Sequence, residues 1–417
     1  MKKIPSVLFR TLLLIFFTGG LAAALPAQVR TGLDNLVSNK YEQLRGKKVG
    51  LITNRTSITS KGEFAGDLFI KQKSFKLVSF FSPEHGLFGE RKAGVLSDAP
   101  EIYKGITVHS LYGSTRKPTK AMLKGIDVLV FDIQDIGVRP YTYLSTMIYA
   151  MEAAAANKIE FIVLDRPNPL SGDRIEGNIL DSTFRSFVGL LPIPYLHGMT
   201  LGELAEMAQG EKWFAGADAL KLTVIKMKDW YRPMYWNETG LKWVPPSPNI
   251  PKYESAIGCA MLGAIGEFGN ISVGIGSDLP FLRLGSKLVK PELLEKVVTE
   301  FTPEGITKKR EDFKVPFGDT TKVFAGMKLI IPQQMKSVGR IYGSEFLIYS
   351  ELLKDSVFAK SFKSLPMTTR RMFEKVTGTK EILAAFESGR AIQPIIDGWK
   401  DSVKSFRGRR KKYLLYQ

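Results

Sequence analysis

Two short stretches of the sequence carry carboxylic acids in positions where they could transfer protons. Glu84 and His85 lie between Pro83 and Gly86, so they are expected on a turn that directly follows an apolar segment. A carboxyl group at such a place is partly removed from water, which raises its pKa and suits it to general-acid catalysis. Asp132 ends a second apolar segment, where an ionised group is unfavourable unless it is paired.

The residues that follow Asp132 offer both a partner for it and a surface for a sugar. Asp135 comes three residues later, and Arg139 is a possible ion-pair partner that would hold the loop in place. Tyr141 presents a flat ring and a hydroxyl group, as sugar-binding sites often do. The stretch therefore predicts either a second catalytic carboxylate at Asp132 or a structural Asp–Arg pair.

A rigid polar loop is predicted at residues 165–169, DRPNP, because each proline restricts the residue before it. The loop presents Asp165, Arg166 and Asn168, and the Arg166 guanidinium could bind a substrate carboxylate in a bidentate manner. Glu176 follows a turn and is a further candidate for the second catalytic carboxylate.

Several other kinds of site find little support. His197 precedes a predicted helix and could bond a sugar hydroxyl, although a lone loop histidine is more often structural. The three histidines and one cysteine show no metal-ligand spacing, so no metal is expected. Cys259 lies in an Ala/Gly/Leu-rich run and is interpreted as a small buried residue. Neither a P-loop nor a G-x-S-x-G elbow is present, and no cofactor is expected.

Four apolar segments with polar ends would position these residues. They alternate with helical segments and are rich in Val, Ile, Leu and Phe, which is typical of parallel strands covered on both faces. The pattern predicts an α/β, Rossmann-like domain in which the polar ends, including Asn54 and Arg55, converge at one edge of the sheet. The four segments are residues 47–56, 75–86, 126–137 and 158–169.

The chain divides into three predicted parts. Residues 1–27 combine Lys2, Lys3 and Arg10 with an apolar run and small residues, the pattern of a secretory signal peptide. Residues 28–245 form the Rossmann-like domain, and a Pro-rich segment precedes a smaller α+β domain over residues 246–417. An uncleaved N-terminal anchor is the alternative for the first part.

The formal net charge of +18 favours anionic partners through long-range attraction. Because export makes nucleic acid an unsuitable partner, an anionic wall fragment or envelope surface fits better. A basic run at residues 407–412 could make that contact, although we interpret it first as a solvated tail. We expect the protein in the periplasm or cell envelope.

Carboxylates, Arg, Asn, Tyr and His without an evident cofactor match glycoside hydrolysis, which needs two carboxyl groups across the scissile bond. Composition and spacing alone leave a hydrolase and a sugar-binding protein open. At these same positions, however, the sequence resembles the exo-β-N-acetylmuramidase family. The blocks that carry the resemblance are TNRTS (53–57), SPEHGLFGE (82–90), FDIQDIGVRPYTY (131–143), LDRPNPLSG (164–172), HGMTLGELA (197–205) and PPSPNIP (245–251).

The resemblance implies an active-site cleft between a Rossmann-like domain and a smaller C-terminal domain. It also implies release of N-acetylmuramic acid from the non-reducing ends of peptidoglycan fragments. Glu84 falls on the favoured catalytic acid of the family. Other family positions near the cleft are Asn54, Arg55, His85, Asp132, Arg139, Tyr141, Asp165, Arg166, Asn168, His197 and Glu267.

One segment departs from the family. Many relatives carry an arginine in a G-R-G-T run where this chain has residues 274–277, Gly-Ile-Gly-Ser, and Arg283 or Lys287 could replace it. The departure motivates a second hypothesis, a non-catalytic protein that binds muropeptides or another anionic sugar. A hydrolase or transferase for a different anionic sugar is the third.

Overall fold

The computed structural model describes residues 28–92, 94–317 and 319–417. The predicted signal peptide over residues 1–27 lies outside the described residues. Among those described, no helix is both long and apolar enough to cross a membrane.

The N-terminal part of the chain is built around a seven-stranded sheet in the order β3-β4-β2-β1-β5-β6-β9. Only β3 runs antiparallel to its neighbour, and the hairpin of β7 and β8 lies outside this sheet. The strands are β1 (Lys48–Thr53), β2 (Lys76–Ser82), β3 (Glu101–Tyr103), β4 (Ile106–Ser110), β5 (Val128–Asp132), β6 (Glu160–Leu164), β7 (Glu176–Ile179), β8 (Pro194–Leu196) and β9 (Leu222–Ile225).

The four strands predicted from apolar runs are β1, β2, β5 and β6, and they pair in parallel as expected. Their side chains are buried on both faces, since β5 is buried at every residue and β1 at all but its first. One core packs helices against Phe81, Phe131 and Phe161, and the other forms around Leu51 and Val130. The α/β, Rossmann-like prediction is confirmed.

Helices cover the two faces of this sheet. α3 begins at Thr142 with a buried face of alanines and large apolar residues, and α4 begins with the predicted capping box of Thr200 and Glu203. The helices of this part are α1 (Gly32–Ser38), α2 (Ala65–Ile70), α3 (Thr142–Ala156) and α4 (Leu201–Gly210).

The order of the strands creates a switch point beside β1. From β1 the chain continues outward through β2 and β4 on one side, and then through β5, β6 and β9 on the other. In open α/β sheets, ligands bind beyond the carboxyl ends of the strands at such a point. The residues that follow β1, β2 and β5 are therefore the first place to look for a site.

The C-terminal part combines a small antiparallel sheet with seven helices and is α+β, as predicted. A cluster of packed aromatic rings, including Phe268, Phe346 and Phe373, forms its core. Its elements are β10 (Arg283–Ser286), β11 (Thr307–Arg310), β12 (Phe313–Phe317), β13 (Thr320–Ile330), α5 (Tyr253–Gly266), α6 (Pro291–Phe301), α7 (Ser344–Leu352), α8 (Ser356–Lys363), α9 (Met367–Thr377), α10 (Glu381–Ser388) and α11 (Gln393–Arg410).

The basic run at 407–412 is not the solvated tail that the sequence suggested. Arg409 and Lys412 both pair with Glu211 of the N-terminal part, at 2.8 and 3.0 Å. Arg410 is buried and donates to the carbonyl of Gly172 at 2.8 Å. The end of α11 thus docks on the first domain, and the division of the chain at residue 245 stays a prediction.

Candidate active site

Glu84 lies where the sequence predicted, on a turn just beyond the carboxyl end of β2. It is largely buried, with 7% of its surface exposed. One carboxyl oxygen accepts a hydrogen bond from the Gly94 amide at 3.0 Å, and the other accepts one from the Thr142 hydroxyl at 2.8 Å. Because Thr142 opens α3, the carboxyl group also lies near the positive end of that helix. Its position is therefore fixed by two separate elements.

The next residue, His85, adopts a left-handed backbone with φ of 72°, which non-glycine residues seldom do. Its Nδ1 lies 2.8 Å from the carbonyl oxygen of Arg91. A carbonyl can only accept, so Nδ1 carries a proton and donates it to Arg91. The strained turn thus fixes the imidazole beside the Glu84 backbone.

Asp135 follows the carboxyl end of β5, on the other side of the switch point. Its Oδ1 accepts from the Gly137 amide at 2.7 Å, whereas its Oδ2 has no hydrogen-bond partner among the described residues. Burial raises the pKa of Asp135 to about 7, against the opposing effect of the two backbone amides of Gly137 and Ile136. A carboxyl group that titrates near neutral pH is suited to proton transfer.

Tyr143 of α3 follows Thr142, the residue that binds Glu84. Burial raises the pKa of the Tyr143 hydroxyl, and the charges of Glu84 and Asp135 raise it further. Tyr143 donates to the carbonyl of Pro246 at 2.5 Å, which brings the Pro-rich segment to the same place. Its ring meets that of Tyr141 edge-on at 4.8 Å, and the Tyr141 hydroxyl is buried with no partner among the described residues.

Asn54 and Arg55 follow β1, at the centre of this edge of the sheet. Asn54 is fully buried and accepts from the amide and hydroxyl of Thr56, while its Nδ2 finds no partner in the described chain. Arg55 is half-buried and donates to the Phe88 carbonyl at 3.1 Å. It forms no ion pair with any residue that the structure describes, so its charge is available to a ligand.

Glu267 lies directly after α5, on the C-terminal side of the site. Its side chain is exposed, yet desolvation raises its pKa. Solvent access together with close surrounding protein is expected of a carboxyl group in a concave cleft. Burial raises the pKa of the Cys259 thiol on α5, and Glu345, Glu267 and Asp135 add to this effect, in that order.

Asp132, the first candidate for the second catalytic carboxylate, lies in a buried ion pair. It is fully buried and receives both Nε and Nη2 of Arg166, at 2.5 and 3.0 Å. Asp132 has no exposed surface in this structure, so its predicted action on substrate stays a prediction that the geometry does not favour. The prediction that Arg139 pairs with it is wrong, since Arg166 occupies that place. Arg166 also donates to the carbonyl of Ile58.

Arg139 does not lie in the cleft with its guanidinium free for a carboxylate. It is 1% exposed and binds four backbone carbonyls, so its predicted role in binding substrate is wrong. The guanidinium joins the β7–β8 region to the carboxyl end of α9. The four bonds go to Asn178 at 2.8 Å, Ile193 at 2.9 Å, Val376 at 3.3 Å and Thr377 at 2.6 Å.

Glu176 is likewise structural. It pairs with Arg174 at 2.5 Å and accepts from the backbone amides of Ile341 and Tyr342, both at 2.9 Å. These contacts tie β7 to the loop before α7. These bonds leave neither oxygen of Glu176 without a partner, so its predicted role as a catalytic carboxylate stays a prediction that the geometry does not favour.

Asp165 and Asn168 hold the first turn of α4 rather than a ligand. Asp165 accepts from the Gly202 amide at 2.8 Å and from the Thr200 hydroxyl at 2.7 Å. Burial raises its pKa to about 6. Asn168 donates to the Met199 carbonyl at 3.0 Å. Both side chains are almost completely enclosed, and their predicted contact with a substrate stays a prediction.

His197 is the last predicted residue that the structure removes from the site. Its exposure is 1%, and its Nδ1 accepts from the Met199 amide at 3.2 Å. Burial, followed by the charges of Arg410 and Arg139, lowers its pKa to about 3, so the ring is neutral. The structural role that sequence reasoning held more common is the one observed.

The two proposed substitutes for the missing arginine at 274–277 are engaged elsewhere. Arg283 pairs with Glu311 at 2.9 Å and with Asp278 at 3.3 Å. The Lys287 ammonium lies over the ring of Phe324, 5.4 Å from its centre. Neither is presented as a free cation, which leaves Arg55 as the cation best placed for an anionic substituent.

Sequence reasoning therefore brought together Glu84, His85, Asn54, Arg55 and Tyr141. It noted Asp135 and Tyr143 in the segment after Asp132 but did not choose them as site residues. Asp135 stands in the same segment as Asp132, and no feature of the sequence ranks one above the other. Within the described part of the chain, no group of three or more His, Cys, Asp or Glu side chains is arranged to hold a metal ion.

Comparison with known proteins agrees with this architecture. The N-terminal and C-terminal models of exo-β-N-acetylmuramidase NamZ match residues 49–254 and 260–416. The chain is 38% identical over 419 residues to peptidoglycan β-N-acetylmuramidase NamZ of Bacillus subtilis (strain 168), with 98% of both proteins covered.

Two solved structures of DUF1343 family proteins from Bacteroides fragilis NCTC 9343 are also similar. One has a TM-score of 0.85 at 37% identity and the other 0.69 at 29%, each covering 94% of this chain and 99% of the other. These matches extend over both parts of the molecule and over the site described above. The chain therefore belongs to the NamZ family of exo-β-N-acetylmuramidases.

Proposed function

We propose that this protein is a glycoside hydrolase that releases N-acetylmuramic acid from the non-reducing ends of peptidoglycan fragments, with Glu84 and Asp135 as its two carboxyl groups. Membership of the NamZ family and the identity to a peptidoglycan β-N-acetylmuramidase support the activity. The residue assignment is carried by the geometry at the carboxyl edge of the sheet, where Thr142 holds Glu84 beyond β2, and Asp135 beyond β5 keeps one buried oxygen without a partner in the described chain.

The two groups divide the reaction between them. Glu84 gives its proton to the glycosidic oxygen as the bond to the anomeric carbon breaks, so the leaving sugar departs as an alcohol. Asp135 takes a proton from the water whose oxygen attacks the anomeric carbon, and a base with a pKa of about 7 is well matched to that step. Tyr141 packs against the sugar ring.

Arg55 is our candidate for the lactyl carboxylate of the substrate. It lies at the edge of the sheet beside Glu84, and it has no anionic partner among the described residues. Arg166 and Arg139 are less available to a substrate carboxylate. Arg166 binds Asp132, and Arg139 is buried and binds four backbone carbonyls. A carboxylate in the cleft would meet Arg55 before any other uncommitted cation described here.

Turnover of a chromogenic aryl β-N-acetylmuraminide tests the proposal. We expect Glu84→Gln and Asp135→Asn each to lower kcat by about 10²–10⁴-fold, the usual contribution of a positioned acid or base. Glu90→Gln is the matched control because Glu90 is an exposed glutamate in the same loop, and it should keep wild-type activity. Unchanged turnover in both carboxyl variants would refute the assignment.

A non-catalytic muropeptide-binding protein was the competing hypothesis, and the match to an enzyme family over nearly the whole chain favours hydrolysis. The same assay distinguishes the two. Measurable affinity of the wild-type protein for N-acetylmuramic acid, with no turnover of muraminides or muropeptides, would restore the binding hypothesis.

We further propose that the protein acts in the periplasm or cell envelope, where its substrate arises. The apolar leader at residues 1–27 and the net charge of +18 support this proposal. Of the basic C-terminal run, Arg407 and Lys411 have exposed side chains without an ion-pair partner in the described chain. We expect these two residues to make any contact of the basic run with an anionic envelope surface. Fractionation of cells with and without residues 1–27 tests the location.

A further inference from the structure

The two carboxyl groups of the proposed reaction define a direction along the edge of the sheet. Asp135 follows β5 and Glu84 follows β2, on opposite sides of β1, and β4 lies beyond β2. In glycoside hydrolysis the acid stands where the leaving sugar departs, and the base that activates water stands on the opposite side. The leaving part of the substrate therefore extends from Glu84 toward β4 and away from Asp135.

The segment after β4 lies beside the turn that carries Glu84. β2 and β4 pair in parallel up to their last residues, so Glu84 and Tyr112 each stand two residues beyond the end of their strand. The loop that begins with Glu84 contacts both of them. The Gly94 amide donates to the Glu84 carboxyl at 3.0 Å. The Ser97 amide donates to the Tyr112 carbonyl at 3.0 Å, which places Tyr112 on the leaving-group side.

Arg116 presents a guanidinium that the protein itself does not use. The side chain is half-buried, yet no hydrogen bond or ion pair joins it to any residue that the structure describes. Two aromatic rings hold it, and its Cζ lies 4.4 Å from the ring centre of Phe187 and 5.3 Å from that of Tyr112. A guanidinium has five N–H donors and binds carboxylates in a bidentate manner. Such a positioned cation is suited to an anionic group of a ligand.

Helix α3 sets the distance between Glu84 and this cation. Thr142 at the start of α3 donates to Glu84 at 2.8 Å, and Tyr149 lies two turns later on the same face. The Tyr149 ring stacks on that of Phe187, with the ring centres 5.9 Å apart. Two helical turns rise about 10 Å, so the guanidinium on Phe187 lies on the order of 10 Å from the Glu84 carboxyl. One sugar ring is shorter than this distance, and two linked rings cover it.

We propose that Tyr112 and Arg116 form the binding site for the leaving part of the substrate, where the Arg116 guanidinium binds a carboxylate carried by its second sugar. This inference rests on the proposed function. In peptidoglycan the first sugar of the leaving part is an uncharged N-acetylglucosamine, and it lies against Tyr112. The second is a muramic acid, which carries a carboxylate on its lactyl group or on its peptide. Fragments long enough to include that second sugar therefore bind more tightly.

Two saccharides that differ only in length test the inference. The wild-type protein should hydrolyse a tetrasaccharide of two N-acetylmuramyl–N-acetylglucosamine repeats with a lower KM than the single-repeat disaccharide. We expect Arg116→Met to raise KM for the tetrasaccharide about tenfold, because a charge-assisted hydrogen bond is lost. KM for the disaccharide and for an aryl N-acetylmuraminide should stay unchanged. Arg116→Lys keeps the charge and should recover part of the loss.

Lys120→Met is the matched control, because Lys120 is an exposed cation in the same segment and its loss changes the net charge equally. It should keep the wild-type ratio of the two KM values. Added salt offers a test without any substitution, since it screens the additional carboxylate and should raise the wild-type KM more for the tetrasaccharide. A tetrasaccharide with a peptide on its inner muramic acid locates the carboxylate. An effect of Arg116→Met that persists there assigns it to the peptide, and one that disappears assigns it to the lactyl group.

The inference is overturned if Arg116→Met, with an unchanged Tm, alters KM for both saccharides alike or for neither. It is equally overturned if Lys120→Met changes the ratio as much, or if salt affects the two wild-type KM values equally. A wild-type protein that hydrolyses no muraminide refutes the proposed function itself. An active wild type that does not distinguish the two saccharides refutes only the site at Arg116.

Discussion

Asp132 and Asp135 stand three positions apart in one segment, and their surroundings give them opposite roles. Asp132 is the last residue of β5 and meets the Arg166 guanidinium in a fully buried pair. Asp135 has left the strand and has one oxygen without a partner in the described chain. The first stabilises the sheet edge, and the second is available for chemistry.

The raised pKa of Asp135 predicts a pH dependence. If Asp135 acts as a base it must be ionised, so kcat/KM should rise as the pH increases through about 7 and fall as the carboxyl is protonated below it. A pH profile measured from about pH 5 to 9 checks this expectation, and Asp135→Asn should abolish the rising limb. A profile that instead falls through the same range would assign the proton-donating role to Asp135.

At the scale of single residues, the sequence predicted where a side chain lies in the fold better than what that side chain does. The turn after β2 and its Glu84 were predictable because Pro83 and Gly86 interrupt an apolar run. The role of Arg139 was not predictable, because it depends on contacts with α9, more than two hundred residues away. Spacing along the chain carries no information about such partners.

At the scale of elements, the parallel strands were predictable and the joints between them and the helices were not. The apolar runs fixed β1, β2, β5 and β6, and the Thr200 capping box marked the start of α4. Buried arginines that donate to backbone carbonyl groups connect these strands to the helices. Arg139 is the clearest example, since its guanidinium donates to the last backbone carbonyls of α9.

Replacing Arg139 with methionine should destabilise the protein without touching the cleft. The change leaves buried carbonyl oxygens without donors, and we expect a loss of about 3–5 kcal/mol in the free energy of unfolding. Urea unfolding followed by circular dichroism measures it. Arg371→Met, at an exposed position of α9, should change stability by less than about 0.5 kcal/mol. Equal stability of the two variants would contradict the structural role of Arg139.

At the scale of the molecule, the Rossmann-like sheet and the smaller α+β part were both predictable. The docking of the residues after α11 on the N-terminal part was not. After α11 the last residues run back to the first domain. The Tyr416 hydroxyl donates to Asp165 at 2.6 Å, and the Leu415 amide donates to Glu203 at 3.0 Å. The Arg232 amide donates to the Gln417 carbonyl at 2.8 Å. Nothing in the short sequence Leu-Leu-Tyr-Gln signals where such a segment docks.

Removal of residues 414–417 should therefore weaken the N-terminal domain. Asp165 and Glu203 each lose a donor while they remain buried, so we expect a fall of about 2–4 kcal/mol in the free energy of unfolding, seen as a lower Tm. Activity per folded molecule should persist, because the deleted residues have no contact with Glu84 or Asp135. A Tm equal to that of the intact chain would show that water replaces these bonds fully.

The docking of residues 414–417 also has a consequence for how the molecule is made. Asp165 and Glu203 precede these residues by more than two hundred positions, yet their shell of donors closes only when residues 414–417 have been made. Until then, the earlier part of the growing polypeptide has its sheet and an open polar seam beside α4. Compaction of that part should accordingly be gradual at first and become cooperative only once residues 414–417 can dock.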